Sequence, residues 1–126
     1  MSRALRKDFT YADLTRGIPA RTVRELQRDK VLTAADAAMI IPPRTLERRL
    51  SANANLKLAE ADALARLVRV VMAARDTFGK DDTADEFLRL PNPALGGRVP
   101  MELARSELGA REVEAVLGRI AHGVYS

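Results

Sequence analysis

The chain has 126 residues, 47% of them apolar, and a net charge of +4, which suits one compact domain or two small ones sharing a core and excludes a disordered tail. No apolar run reaches the ~18 to 20 residues of a membrane span and the first residues lack the apolar centre of a secretory signal, so we expect a cytoplasmic protein. With no cysteine and a single histidine, His122, the sequence excludes a disulfide framework and a structural zinc site, and we expect neither metal nor cofactor.

Capping patterns predict the first helices. Thr10 with Asp13, and again Thr33 with Asp36, have the spacing at which a threonine and an acidic side chain cap a helix N-terminus. Each pair therefore predicts a helix that begins at the residue after the threonine. A further helix is expected over residues 19–27, because its opening proline is favoured in a first helical turn.

The segments "AADAAM" and "PRTLERRL" are separated by a proline pair, Pro42 and Pro43. These prolines must end one helix and fit only the first turn of the next. Small residues, a tight break and a short arginine-rich second helix are typical of a helix-turn-helix, whose second helix enters the major groove of DNA. The expected DNA-binding residues are Arg44, Thr45, Arg48 and Arg49, with Arg21, Arg24 and Arg28 as further candidates for phosphate contacts.

The charge distribution favours the same interpretation. Residues 1–57 hold 12 Lys/Arg and 6 Asp/Glu, a balance of +6, whereas residues 58–126 hold 9 and 11, a balance of −2. A basic segment of this kind faces a polyanion such as DNA, and a homodimer on a palindromic operator is expected because one helix-turn-helix offers little specific affinity. The alternative is that the arginines are solvated, cover the stems of neighbouring helices or meet acidic patches.

The polar segment "SANANLK", residues 51–57, separates a DNA-binding region, residues 1–55, from a second domain, residues 56–126. Helical spacing predicts a long amphipathic helix that ends at Gly79 and a final helix that stops at Gly123. Their apolar positions are Leu64, Leu67, Val68, Val71 and Met72 in the first, and Val113, Val116, Leu117 and Ile120 in the second. Strand patterns are absent, so the predicted fold is all-α, with an N-terminal helix-turn-helix segment packed on or linked to a small C-terminal helical domain.

Between these two helices, "PNPALGGRVPMEL" at residues 91–103 combines three prolines with two adjacent glycines. Prolines fix φ, whereas Gly96 and Gly97 permit positive φ, so the segment predicts one rigid corner followed by a helix that starts at Pro100. It lacks the glycine and lysine spacing of a phosphate-binding loop, and no strand precedes it. Arg98 either forms an ion pair with a partner or bonds carbonyls of the turn.

The ionisable residues do not predict an enzyme. The acidic residues at 81–86 are typical of a helix N-terminus whose dipole they complement, and no catalytic triad can be assembled. His122 lies near the end of the last predicted helix, where a histidine compensates the dipole or contacts a partner. We therefore expect no catalytic residues.

Three strings in residues 56–126 carry a family resemblance: "LKLAEADALARLVRV", "FGKDDTADEFLRLPNPALGGRVPMEL" and "GAREVEAVLGRIAHGVYS". They resemble the toxin-binding region of Xre/MbcA/ParS-type antitoxins. The resemblance implies an antitoxin that neutralises a RES-domain toxin, an enzyme that consumes NAD or uses it for ADP-ribosylation. It also implies that an Xre-like helix-turn-helix represses the promoter of the pair.

An inhibitor can stop an enzyme by filling or covering the mouth of its active site, and the resemblance assigns this task to the end of the chain. The implied toxin-binding residues are Arg98, Arg119, His122, Val124, Tyr125 and Ser126, with Tyr125 as an anchor of the kind found at interface hot spots. The alternative is that Val124 and Tyr125 fold back to seal the last helix. Two other functions stay open: a stand-alone helix-turn-helix repressor that senses a ligand and has no toxin partner, and an interaction scaffold that never touches DNA.

Overall fold

The structure is a computed structural model that describes residues 9–123. These residues form eight α-helices and one short 3-10 helix. The helices are α1 (Tyr11–Arg16), α2 (Arg21–Arg28), α3 (Ala34–Ile40), α4 (Pro43–Ser51), α5 (Leu58–Phe78), α6 (Asp81–Arg89), the 3-10 helix (Pro93–Leu95), α7 (Pro100–Leu103) and α8 (Glu107–Ala121). The all-α prediction is confirmed, because the described residues contain no strand beyond two isolated bridges. Across residues 9–123, no helix is both long and apolar enough to cross a bilayer.

The chain divides into two compact units, one up to Val68 and one from Arg69 onward. The division falls inside α5. The segment "SANANLK" supplies the last residue of α4 and the whole connection to α5. The domain boundary between residues 55 and 56 stays a prediction.

The two capping boxes of the N-terminal unit form as the sequence predicts. Thr10 Oγ1 accepts from the N–H of Asp13 at 3.1 Å, and Asp13 Oδ2 accepts from the N–H of Thr10 at 2.8 Å. Thr33 and Asp36 repeat both bonds at the start of α3. Each box satisfies two backbone donors that a helix start otherwise leaves without an intrahelical acceptor.

Helix α2 begins two residues later than the proline at position 19 predicts. Pro19 forms an isolated bridge with Asn55, and Ala20 donates its N–H to the carbonyl of Ala54 at 2.9 Å. On the other side of the bridge, Leu56 donates to the carbonyl of Ile18 at 2.8 Å. This pairing, with a segment more than thirty positions away, occupies Pro19, and the regular helix begins only after Ala20, which already has helical φ and ψ.

The C-terminal unit is organised by the predicted corner. Asn92 and Arg98 form an antiparallel bridge, Asn92 Oδ1 accepts from the N–H of Ala94 at 2.8 Å, and Gly97 donates to the carbonyl of Asn92 at 2.9 Å. Both glycines adopt positive φ, +68° and +80°. Pro100 occupies the first turn of α7, as predicted.

The apolar faces predicted for α5 and α8 are the buried faces of these helices. Leu64, Leu67, Val68 and Val71 are buried in α5, with Met72 half-buried, and Val113, Val116 and Leu117 are buried in α8, with Ile120 half-buried. Both helices end just before a glycine with φ of +72°, since Gly79 follows α5 directly and Gly123 follows α8 after His122. The two predicted helix stops are confirmed.

Candidate binding surfaces

Helix α4, the predicted DNA-reading helix, exposes one face. Arg44, Glu47 and Arg48 are exposed, whereas Leu46 is buried and Thr45 half-buried. A helix turns by about 100° per residue, so positions 44, 47 and 48 share one side of α4. The structure therefore brings Arg44 and Arg48 together on a surface that a large ligand can reach.

Arg49 lies on the opposite side of α4 and contacts the start of α5. Its guanidinium bonds both carboxylate oxygens of Glu60, at 2.5 and 3.2 Å, and the two side chains are only 14% and 17% exposed. Glu60 also accepts from the N–H of Lys57 at 2.7 Å, the acidic half of a capping box. Arg49 thus ties α4 to α5, and its predicted contact with DNA stays untested alongside those of Arg44, Thr45 and Arg48.

The Glu60 carboxylate is held in its charged form. Partial burial raises the pKa of Glu60, but the hydrogen bonds from Arg49 and from the Lys57 N–H outweigh burial and lower the pKa below its ordinary value. The same charge-assisted bonds raise the pKa of Arg49. Arg49 and Glu60 therefore form a salt bridge between α4 and α5 at neutral pH.

Glu47 is the member of the α4 surface that the sequence prediction overlooked. Its carboxylate forms an ion pair with the guanidinium of Arg24 on α2. The signal was present in the sequence, because Glu47 lies three residues after Arg44 and one before Arg48. Helical spacing alone places an acid on the face of these two arginines.

In the C-terminal unit, α8 exposes a continuous line of residues at intervals of four and three. We call this line the α8 stripe: Leu108, Glu112, Ala115, Arg119 and His122. Leu108, a large apolar side chain, is 76% exposed on this stripe. The sequence prediction also overlooked Leu108. The helical spacing that predicts the buried face of α8 also identifies the exposed face, on which Leu108 lies.

The structure brings two of the predicted toxin-binding residues onto this stripe. Arg119 and His122 lie at its C-terminal end, where the His122 ring Nδ1 is 2.7 Å from the carbonyl oxygen of Gly118. That contact makes Nδ1 the donor and turns Nε2 away from the helix carbonyls. Arg98 lies elsewhere, exposed in the corner. Val124, Tyr125 and Ser126 lie outside the described residues, and the roles of all six residues stay predictions.

A cluster of charged side chains fixes α8 against α5 within the C-terminal unit. Arg69 donates to Glu114 through Nε at 2.9 Å and through Nη2 at 3.1 Å, and also to Glu107 through Nη2 at 3.0 Å. Glu107 accepts a further bond from Arg111 at 3.2 Å. The hydrogen bond from Arg69 lowers the pKa of Glu107, an effect that slight burial opposes and Arg111 reinforces.

Close approach of the backbone sets the start of α8. A Cβ placed on Gly109 would lie 1.9 Å from the carbonyl oxygen of Leu103, the last residue of α7. Ser106 Oγ caps the same turn by accepting from the N–H of Gly109 at 3.0 Å. Glycine at this position therefore allows the first turn of α8 to lie against the end of α7.

An open groove of about 260 Å³ lies beside α6 in the C-terminal unit, lined in part by Phe78, Phe87, Leu90 and Pro91. The two aromatic rings pack at a tilt, with centroids 5.4 Å apart.

Within residues 9–123, no group of three or more acidic, cysteine or histidine side chains is placed to hold a metal ion.

The sequence is similar to a family model and to several known proteins. Residues 73–123, which contain α6 to α8, match the model described as the antitoxin Xre/MbcA/ParS C-terminal toxin-binding domain. An Antitoxin Xre of Pseudomonas putida is 32% identical over 120 residues, which cover 94% of this chain and 76% of that protein. An Antitoxin Xre of Photorhabdus laumondii is 33% identical over 91% of this chain and 80% of its own length. A third, of Yersinia enterocolitica, is 41% identical over 68% of this chain and 59% of its own length. The resemblance seen in the sequence is confirmed, and the chain belongs to the Xre antitoxin family.

Proposed function

We propose that the chain is the antitoxin of a type II pair, which acts in the cytoplasm by binding a RES-domain toxin and blocking its NAD-consuming or ADP-ribosylating site. On this proposal the protein is a binding protein and not an enzyme, and it also represses its own operon through α4. The observation that carries the toxin-binding part is the α8 stripe. It lies inside the region that matches a toxin-binding domain.

The α8 stripe offers a protein partner one large apolar side chain and several polar ones. Leu108 offers an exposed apolar anchor, and Arg119 is of the residue type most enriched at hot spots after the large aromatics. Glu112 and His122 supply polar contacts at the rim. The cluster around Arg69 and the Gly109 contact hold the helix that carries the stripe, so binding orders little more of the chain.

We include the three residues after Gly123, which we call the tail, in the proposed interface. Val124, Tyr125 and Ser126 follow Gly123 directly in the sequence, and we assign them to the mouth of the toxin's active site, with Arg119 and His122 beside them. Arg98, in the corner, is assigned a peripheral ion pair with the toxin. No cofactor is required of the antitoxin, because blocking an enzyme needs only a fitting surface.

Co-expression with the RES-domain toxin tests this assignment. A chain ending at Gly123 should leave the toxin active while its circular dichroism is unchanged, and Leu108→Asp should weaken toxin binding at least about tenfold. Leu58→Asp is the matched control, because Leu58 is an exposed leucine in the first turn of α5, outside the stripe. Full protection by the truncated chain would remove the tail from the mechanism, and unchanged binding by Leu108→Asp would remove the stripe.

For operator DNA, the support is the exposed pair Arg44 and Arg48 on one face of a helix that follows a tight break. Arginine forks onto guanine in the major groove, and a homodimer would place two such helices on a palindrome. Arg44→Ala with Arg48→Ala should abolish binding to promoter DNA and leave neutralisation intact. Arg98→Ala with Arg111→Ala removes the same charge from the C-terminal unit and should retain DNA binding. Equal gel-shift affinity of the first variant and the unaltered chain would refute the role of α4.

A further inference from the structure

The face of α4 that we propose to contact DNA carries a carboxylate, that of Glu47. Glu47 is exposed on the same face as Arg44 and Arg48. DNA presents a dense row of phosphates, and an acidic side chain on a helix that approaches them is repelled. Such an acid contributes favourably to DNA binding where it meets a hydrogen-bond donor on a base edge.

The pairing of Glu47 with Arg24 does not by itself supply that reason. The two side chains are 62% and 44% exposed, and ion pairs with this much exposure to water contribute little to folding. The pair instead affects the position and the charge of the Glu47 side chain. It holds the Glu47 carboxylate towards α2, and the Arg24 charge offsets the negative charge that would repel a phosphate.

Base-edge chemistry then selects the target. An ionised carboxylate only accepts hydrogen bonds. In the major groove, the donors are the N4 amine of cytosine and the N6 amine of adenine, and adenine sets its N7 acceptor beside that amine. The N7 lone pair repels a carboxylate, so cytosine is the better partner.

We propose that Glu47 is a specificity-determining residue that accepts a hydrogen bond from cytosine N4, and that Arg24 is a positioning residue that orients the Glu47 carboxylate. This inference depends on the proposed entry of α4 into the major groove. Residues three apart on a helix are about 4.5 Å apart along its axis, close to the ~3.4 Å step between base pairs. Arg44, which suits guanine, and Glu47 would therefore address neighbouring base pairs.

Selection from a randomised duplex pool with the full chain tests this directly. The unaltered protein should enrich sites with one cytosine adjacent to guanine. Glu47→Gln keeps the size of the side chain and can pair with adenine, so it should lose the cytosine preference by at least about fivefold or shift it to adenine. Its affinity for random duplex should be equal or higher, because one negative charge is gone. Glu25→Gln, which removes a carboxylate from α2 and not from α4, is the matched control and should keep the original preference.

Arg24 is tested by its effect on discrimination, since loss of a phosphate contact alone would lower affinity for every sequence alike. Arg24→Met should reduce the cytosine preference in the unaltered chain and change nothing further in the Glu47→Gln chain. An identical base preference in Glu47→Gln, whatever its affinity, would overturn the inference while leaving DNA binding by α4 in place. Absence of any salt-dependent binding of random duplex by the unaltered chain would overturn both.

Discussion

Adding one methyl group at Gly109 should separate α7 from α8. In an ordinary helix, Gly→Ala stabilises the fold by about 1 kcal/mol, because alanine loses less backbone entropy. At Gly109 the new Cβ would lie 1.9 Å from the carbonyl oxygen of Leu103 and 2.7 Å from its carbonyl carbon. Both atoms belong to the backbone, which cannot swing aside as a flexible side chain does.

The two effects have opposite signs, and the clash is the larger. Overpacking at a close contact typically costs about 1–3 kcal/mol, and a backbone contact this short belongs at the upper end of that range. After subtraction of the helix-propensity gain, Gly109→Ala should destabilise the protein by about 2 kcal/mol. For a chain of this size, that corresponds to a fall in Tm of roughly 6–10 °C.

Urea and thermal unfolding followed by circular dichroism measure this effect, and α8 itself supplies the control. Gly118 is also helical, and nothing lies within 4 Å of the position its Cβ would take. Gly118→Ala should therefore leave stability equal or raise it by up to about 1 kcal/mol. If Gly109→Ala were as stable as Gly118→Ala, the close approach of α7 and α8 would not set the position of α8.

Three further measurements follow from the bonds at helix ends and between helices. Thr33→Ala removes the Oγ1 acceptor of the Asp36 N–H and should cost about 1 kcal/mol in urea unfolding, whereas Thr83→Ala, at an exposed site of α6, should cost nothing. Arg69→Met removes bonds to both Glu107 and Glu114 and should destabilise by about 0.5–1 kcal/mol, since the site is partly exposed; no change would mean that water replaces these bonds without loss. The pKa of Glu107 is lower in the folded chain than its ordinary value of 4.5, so the unfolded chain binds more protons near that pH; the stabilisation is present above about pH 4.5 and is lost as pH falls through the folded pKa. Glu107→Gln should therefore flatten the fall of the urea midpoint below about pH 4.5, and an equally steep fall would assign the acid sensitivity to other carboxylates.

Features encoded within one helical turn were predictable from the sequence. The Thr10 and Thr33 boxes, and the stops near Gly79 and Gly123, depend on hydrogen bonds or φ values of neighbouring residues. Local chemistry decides them whatever the rest of the chain does. The same holds for the buried faces of α5 and α8, which follow from period alone.

Features that depend on a distant partner were not predictable in the same way. The proline at position 19 fits the local preference for a first helical turn, yet it forms a bridge with Asn55 and the regular helix begins at Arg21. Arg49 is paired with Glu60, eleven positions away, and Glu47 with Arg24, twenty-three positions away. No single-helix pattern reveals which of several acids an arginine will meet.

The arginines of α4 illustrate why residue type is a poor guide to a binding surface. Arg48 and Arg49 are adjacent in sequence and identical in chemistry, but about 100° of helix rotation separates them. One is exposed beside Arg44, and the other bonds both oxygens of a carboxylate that also caps α5. Replacing Arg49 would therefore disturb the helix start at Lys57 as well as α4, so weaker DNA binding by such a variant would not identify a DNA contact. The exposed face of α4, including its acid, is the surface on which DNA recognition has to be tested.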